Sequence, residues 1–291
     1  MRDWNRLGLT SQNGGLTAII ELESGYKQIV SLKREGKEYL HGGGKPSRAR
    51  NYRESQGWKN SEKLMFPVVG ATLDNRLTVN GTEYPMCQHG FAQFLPFRLD
   101  TSSGYHSRFV AEYEAQQLIP NGRKKSLSDP DNLNWGWSVR IAKQYSLLED
   151  RLRMEWSITN LSNTPMPYDT GWHPAAWIRG TLSDGYVQEQ GSSTENHSLD
   201  KIRKESKEGA ILCKTDRVVL YDAKGNQIIS QVEVSSNLPD TMLWSPSSSS
   251  LVCLEPVTGV TRRRGFDKFE TEAPRLEPGK KQDYWTEIKV A

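Results

Sequence analysis

Three short segments place a functional group where an apolar run stops at glycine or proline: Gln88-His89-Gly90-Phe91-Ala92, Gly171-Trp172-His173-Pro174 and Cys253-Leu254-Glu255-Pro256. Strand ends beside such turn residues are where a rigid scaffold presents its chemistry. His173 stands out, because an imidazole titrates near neutrality and can give or take a proton. Trp172 and Trp177 beside it offer flat apolar faces on which a ring can stack. Glu255, acceptor-only when ionised, suits a base. Each segment alone also has a plainer reading. A histidine before proline satisfies turn backbone groups, a glutamate before proline is a solvated strand end, and tryptophans pack in cores by default.

Composition narrows the setting. The 291 residues carry 38 Lys+Arg against 35 Asp+Glu, a formal charge of +3 spread along the chain, which gives no electrostatic footprint for nucleic acid. The N-terminus has no apolar signal core, and no run of about 18 apolar residues occurs, so a cytoplasmic protein with no membrane association is expected. Cys87, Cys213 and Cys253 are far apart and odd in number, which fits reduced thiols rather than a disulfide framework. No C-x-x-C pair or close His/Cys cluster is present, and neither a metal nor an organic cofactor is expected. Nine Trp, eleven Tyr and seven Phe can supply most of a core, which is therefore expected to be aromatic.

The elements that must hold these groups read as strands. Residues 16–40 form two β-friendly runs, and 42–60 is a polar loop with Trp58 as a rim residue. Asn80-Gly81 between β-branched and aromatic residues predicts a type I′ hairpin. Strands are expected at 94–100, 107–113, 138–147 and 151–160, the last alternating Leu152, Met154, Trp156 and Ile158 against polar residues. Residues 116–134 read as a surface excursion. Further strands are expected at 211–221, 227–234, 241–244, 250–254 and 283–290, with 198–208 at best a surface turn. Strands do not alternate with amphipathic helices and no fixed repeat occurs, which leaves one large antiparallel β domain over residues 1–291.

In this order the segments resemble the aldose 1-epimerase (galactose mutarotase-like) family. Leu64-Met-Phe-Pro-Val-Val-Gly70 is similar to its Phe-Pro segment, Val79–Tyr84 to the hairpin that follows, His89-Gly-Phe-Ala92 and Pro167–Ala175 to its two histidine motifs, Leu254-Glu-Pro-Val-Thr-Gly259 to its glutamate motif, and Leu276-Glu-Pro-Gly279 to its closing turn. The resemblance implies an all-β fold, a β-supersandwich of large antiparallel sheets with a sugar cleft, as monomer or homodimer. It also implies an isomerase that interconverts the α and β anomers of a hexopyranose without a cofactor. His173 would be the general acid at the ring oxygen and Glu255 the general base at the C1 hydroxyl, facing each other across an open cleft that holds the pyranose between them. His89, Gln88, Trp172 and Asp216 would bind the sugar, Asp222 and Asp240 being alternatives to Asp216, and Trp177 and Trp244 further stacking candidates. Ala71 and Gln93 stand where many members have substrate-binding arginines, and Arg262-Arg263-Arg264 is a basic run that either compensates or is solvated. A non-catalytic sugar-binding protein, and an epimerase for a phosphorylated or acidic sugar, are the rival readings.

Overall fold

The alternation at Leu152, Met154, Trp156 and Ile158 produces the strand Arg151–Asn160, which buries all four to 2% exposure or less. It pairs with Val139–Leu147 on one side and Lys281–Val290 on the other. The computed structural model describes residues 5–23, 25–41, 61–124, 126–177, 185–190, 194–246, 251–261 and 268–291, the side chains of Gln231 and Val232 excepted. Among the described residues, those three strands are central to a nine-stranded antiparallel sheet. Its order is Asn196–Ser198, Tyr186–Gln190, Arg217–Tyr221, Gln227–Val234, Lys281–Val290, Arg151–Asn160, Val139–Leu147, His106–Tyr113 and Arg98–Ser102.

A second sheet, six-stranded among the described residues, runs Ile211–Cys213, Asp240–Trp244, Leu251–Val257, Gly171–Trp172 and Leu64–Met65. Beyond Pro174 the segment Ala175–Trp177 continues along Leu251–Val257. That strand is buried at every residue, as a central strand covered on both faces must be. The two sheets share one apolar cluster, which holds Trp156 and Ile158 of the first together with Trp172, Val252 and Leu254 of the second. Trp135, Trp156, Trp172, Tyr113, Tyr145, Tyr168, Phe66 and Phe91 are among its largest fully buried side chains, so the core is aromatic as expected. The strands Arg6–Thr10, Leu16–Glu21, Ile29–Arg34 and Lys37–Glu38 add a four-stranded sheet.

The hairpin at Asn80-Gly81 joins Arg76–Val79 to Thr82–Pro85, with both turn residues at positive φ as a type I′ turn requires. Elsewhere the boundaries differ from those read in the sequence. The run 211–221 is two strands, Ile211–Cys213 and Arg217–Tyr221, which belong to different sheets. Residues 92–94 form a 3-10 turn and the strand expected at 94–100 starts only at Arg98. The run 198–208 contains an α-helix, Leu199–Glu205, rather than a surface turn. Ser198 caps it by accepting from the Lys201 N–H, and the three-residue spacing of Leu199 and Ile202 buries both on one face. The 42–60 loop, Trp58 and Arg262–Arg264 lie outside the described residues. No helix among the described residues is long and apolar enough to cross a membrane.

Candidate active site

Strand register assembles the site. Gly171 pairs with Val257 and Ala175 with Cys253, which sets His173 directly across from Glu255. On its other side Trp172 pairs with Leu64, and His173 and Lys63 exchange both backbone hydrogen bonds, at 2.8 and 3.1 Å. Residues directly opposite in a sheet share a face. Lys63, His173 and Glu255 therefore stand in one row across three neighbouring strands. His173 Nε2 lies 3.3 Å from Glu255 Oε1, with side-chain exposures of 3% and 1%. Alternation sends Trp172 and Leu254 to the other face and into the main core. The strands can approach this closely because position 171 is glycine. A Cβ there would meet Pro256 O at 2.6 Å and Val257 Cγ1 at 2.7 Å.

His89 joins the row from a separate turn. Its ring packs edge-on against His173 with centroids 5.1 Å apart, and its Nδ1 accepts from the Gly70 N–H at 3.2 Å. His89 has φ of 67°, and its carbonyl accepts from the Phe66 N–H, so the turn lies flat on the Phe66–Gly70 segment. Gly90 makes that possible, since a Cβ there would sit 2.0 Å from Phe66 O. Gln93 donates to the carbonyls of Gln88 and Gly90 at 3.1 and 2.9 Å, which braces the same turn. Trp244 completes the wall, 6.0 Å from the His173 ring.

Electrostatically the site is a buried place with few paired charges. Burial pushes the Glu255 carboxyl well above the usual carboxylate range, with the Lys63 charge acting against the shift. Neither carboxylate oxygen has a hydrogen-bond donor among the described residues. Burial pushes the imidazoles of His173 and His89 well below 6.5, and the charges of Lys63 and Arg123 push both the same way. Lys63 itself is brought down to about 7, first by burial and then by Arg123, with Cys87, Cys253 and Glu255 opposing. Burial thus disfavours the charged form of both partners. His173, Cys253 and Glu255 also bring potential ligand atoms within 4.8 Å of one another. The neighbouring cationic Lys63 and Arg123 oppose a metal ion there.

Of the residues singled out in the sequence, the structure brings His89, His173 and Glu255 together. Gln88 stands beside them and its Oε1 accepts from Arg123 Nη2 at 2.8 Å. Trp172 does not face His173. Its indole N–H donates to Glu62 Oε2 at 2.7 Å in the core, so its burial corrects the stacking role. Trp177 stacks on His41 at 5.7 Å. Asp216 is half-buried in the turn between Cys213 and Arg217. Asp222 caps its own turn by accepting from Lys224 and Asn226, and Asp240 accepts from Lys214 at 2.9 Å. The expected separation of His173 and Glu255 by a whole pyranose is also corrected, because the two side chains touch. Lys63 and Arg123 were not foreseen. Lys63 had one signal, a cation beside an apolar strand and opposite nothing in its own segment; Arg123 arrives from the 116–134 excursion with none.

No protein-family model and no curated protein matches the chain. Solved structures do. The arrangement is that of a large antiparallel β-sandwich, and its likenesses are specific. A galactose mutarotase-related enzyme from Lactobacillus acidophilus superposes with a TM-score of 0.72 at 18% identity over 98% of this chain and 97% of that one. A galactose mutarotase-like protein from Lactobacillus casei gives 0.73 at 17% over 98% and 100%. An aldose epimerase homologue from C. elegans gives 0.64 at 12% over 98% of each. At these identities the likeness establishes the fold, and the chain has the galactose mutarotase-like fold.

Proposed function

We propose that the protein is an aldose 1-epimerase that interconverts the anomers of a hexopyranose, with His173 and Glu255 as its acid–base pair. The observation that carries this reading is their direct juxtaposition, 3.3 Å apart on adjacent strands, from segments more than eighty residues apart in the chain. Ring opening needs one proton delivered to the ring oxygen and one removed from the hydroxyl on the same carbon. The mechanism needs one proton on the pair, and burial favours the neutral arrangement with that proton on Glu255. Sugar hydroxyls donating to the carboxylate stabilise its ionised form, and the proton passes to His173 Nε2. His173 then protonates the ring oxygen while Glu255 takes the C1 hydroxyl proton, the C1–O5 bond breaks and C1 becomes the aldehyde. After rotation about C1–C2 the same transfers run backwards on the other face. His89 and Gln88 line the approach as sugar-binding groups.

The test is anomer exchange, followed by NMR or optical rotation from fresh α-D-glucose and α-D-galactose. Glu255→Gln and His173→Asn are each expected to lower the rate about 10²–10⁴-fold. Saturable sugar binding without exchange, or unchanged rates in both variants, would overturn the reading. A narrower version has support of its own. Lys63 and Arg123 add two positive charges beside the pair, and Arg123 Nη1 is buried without a hydrogen-bond acceptor among the described residues. Such cations favour an acidic or phosphorylated sugar. Greater thermal stabilisation by D-glucuronate or D-glucose 6-phosphate than by D-glucose would support this version, and equal stabilisation would remove it.

A further inference from the structure

A second cluster of reactive side chains lies where the edges of the two sheets meet, away from His173. Glu189 is on the strand Tyr186–Gln190, His197 on the edge strand Asn196–Ser198, and Cys213 ends Ile211–Cys213 of the other sheet. All three are buried, at 6%, 3% and 2% exposure. His197 Nε2 is 2.7 Å from Glu189 Oε1 and 3.7 Å from Cys213 Sγ, and the three potential ligand atoms lie within 4.8 Å of one another. We propose that Glu189, His197 and Cys213 bind a borderline-soft divalent cation of the zinc type and so clamp the two sheet edges together.

The geometry is close to what such an ion needs. Zinc ligands at about 2.0–2.3 Å in a tetrahedron stand roughly 3.3–3.7 Å apart. The sulfur–nitrogen distance already fits, and the Glu189–His197 contact must open by about half an ångström. A thiolate, an imidazole and a carboxylate are together a zinc donor set, with water as the fourth ligand. The far side of the ring has its own partner. His197 Nδ1 lies 3.6 Å from Glu195 Oε1, just beyond hydrogen-bond distance, and a small shortening would give the carboxylate–histidine arrangement that orients a metal-bound imidazole. Lys201 Nζ is 3.5 Å from the same nitrogen and pairs with Glu195 at 3.2 Å, on the side away from Cys213. Burial and the Glu189 charge hold the Cys213 thiol well above its ordinary range, and a cation between them would reverse that. A Cys–His nucleophile fits less well, because Glu189 and Cys213 crowd the same ring nitrogen and the thiol is closed off from substrate. The spacings of 8 and 16 residues explain why no compact motif marks the site.

The test uses the full chain, stripped with a chelator and titrated with Co2+ alone and with Zn2+ alone. One equivalent is expected to bind, with a cobalt–thiolate charge-transfer band in the near ultraviolet and a rise in Tm. The band should vanish in Cys213→Ser, survive in Cys253→Ala, and require about 10–100-fold more metal in Glu195→Gln. Far-UV circular dichroism checks that each variant is folded. Folded wild type that takes up neither metal at about 100 µM overturns the proposal. So does a band that Cys253→Ala removes, which would put the metal beside His173, and this control stands whatever Cys213→Ser does to folding.

Discussion

Between Glu255 and His173 there is one proton to place, and burial decides where it rests. Both charged forms are penalised, so the carboxyl moves up and the imidazole down. The active form of the proposed pair has one proton, and it is lost by gaining a second at low pH or losing the first at high pH. The rate profile should therefore be a bell whose acid limb lies below 6.5, the ordinary histidine value, and whose alkaline limb lies above the ordinary carboxylate range. Lys63 gives this a direction. Its charge helps Glu255 ionise and holds His173 down, so Lys63→Met should slow exchange about tenfold and move the acid limb toward neutral pH. Measurement of kcat/KM against pH for both proteins decides it, and an unmoved acid limb would count against Lys63 acting on the pair.

At the scale of elements, the site face of the six-stranded sheet depends on how its other face is anchored. Glu62 sits just before the Leu64–Met65 strand and is completely buried. It accepts from Tyr145 at 2.5 Å, Trp172 at 2.7 Å and Tyr26 at 3.2 Å, and Lys143 Nζ lies 3.8 Å away. Tyr145 and Lys143 belong to the nine-stranded sheet and Trp172 to the other, so one carboxylate ties the two sheets together next to His173. Lys143 is further held over the Tyr26 ring at 3.4 Å. Glu62→Leu strands a buried ammonium and three donors, and denaturant unfolding should show a loss of about 3–5 kcal/mol. Replacing the ammonium as well, in Glu62→Leu/Lys143→Met, should recover part of that loss. A double variant as unstable as the single one would show that the ionic partner is not the reason.

For the whole molecule, the buried cations set how stability varies with pH. Lys63 and Lys143 are both brought to about 7 by burial, against an ordinary value of 10.5. Between those values the unfolded chain holds more protons than the folded one, so stability rises with pH, and below about 7 the full cost of burying two charges is present. His89 and His173 act with the same sign below 6.5. Glu255 opposes the two histidines above 4.5, and the two lysines oppose it in turn from about 7 upward. The thiols of Cys87, Cys213 and Cys253, raised from 9.0 by burial, end the rise above that value, because the unfolded chain then ionises at them while the folded chain keeps its protons. Thermal melts should give a Tm that climbs from about pH 6 to about pH 8.5. A Tm that falls over this range would contradict the placement of the two lysines.

How much was legible follows from the range of the physics involved. Local alternation marked Arg151–Asn160, and Asn80-Gly81 marked its hairpin, because strand period and turn conformation are properties of neighbouring residues. His89, His173 and Glu255 could be singled out for the same reason, each being a functional group at a glycine- or proline-bounded strand end. Local signals also misled. The run 211–221 reads as one strand because the break at Lys214–Asp216 involves no glycine or proline, and Leu199 with Ile202 carries too little apolar surface to announce a helix before the sheet edge covers it. Residue types and their order thus determined by themselves the all-β class and the candidates for proton transfer. Only the tertiary structure decided that His173 meets Glu255 at 3.3 Å, that Trp172 turns to the core, and that Lys63 completes the row. Those outcomes depend on the register between strands far apart in the chain, and a shift of one residue in any one of these strands would have sent its side chains to the opposite face and broken the row.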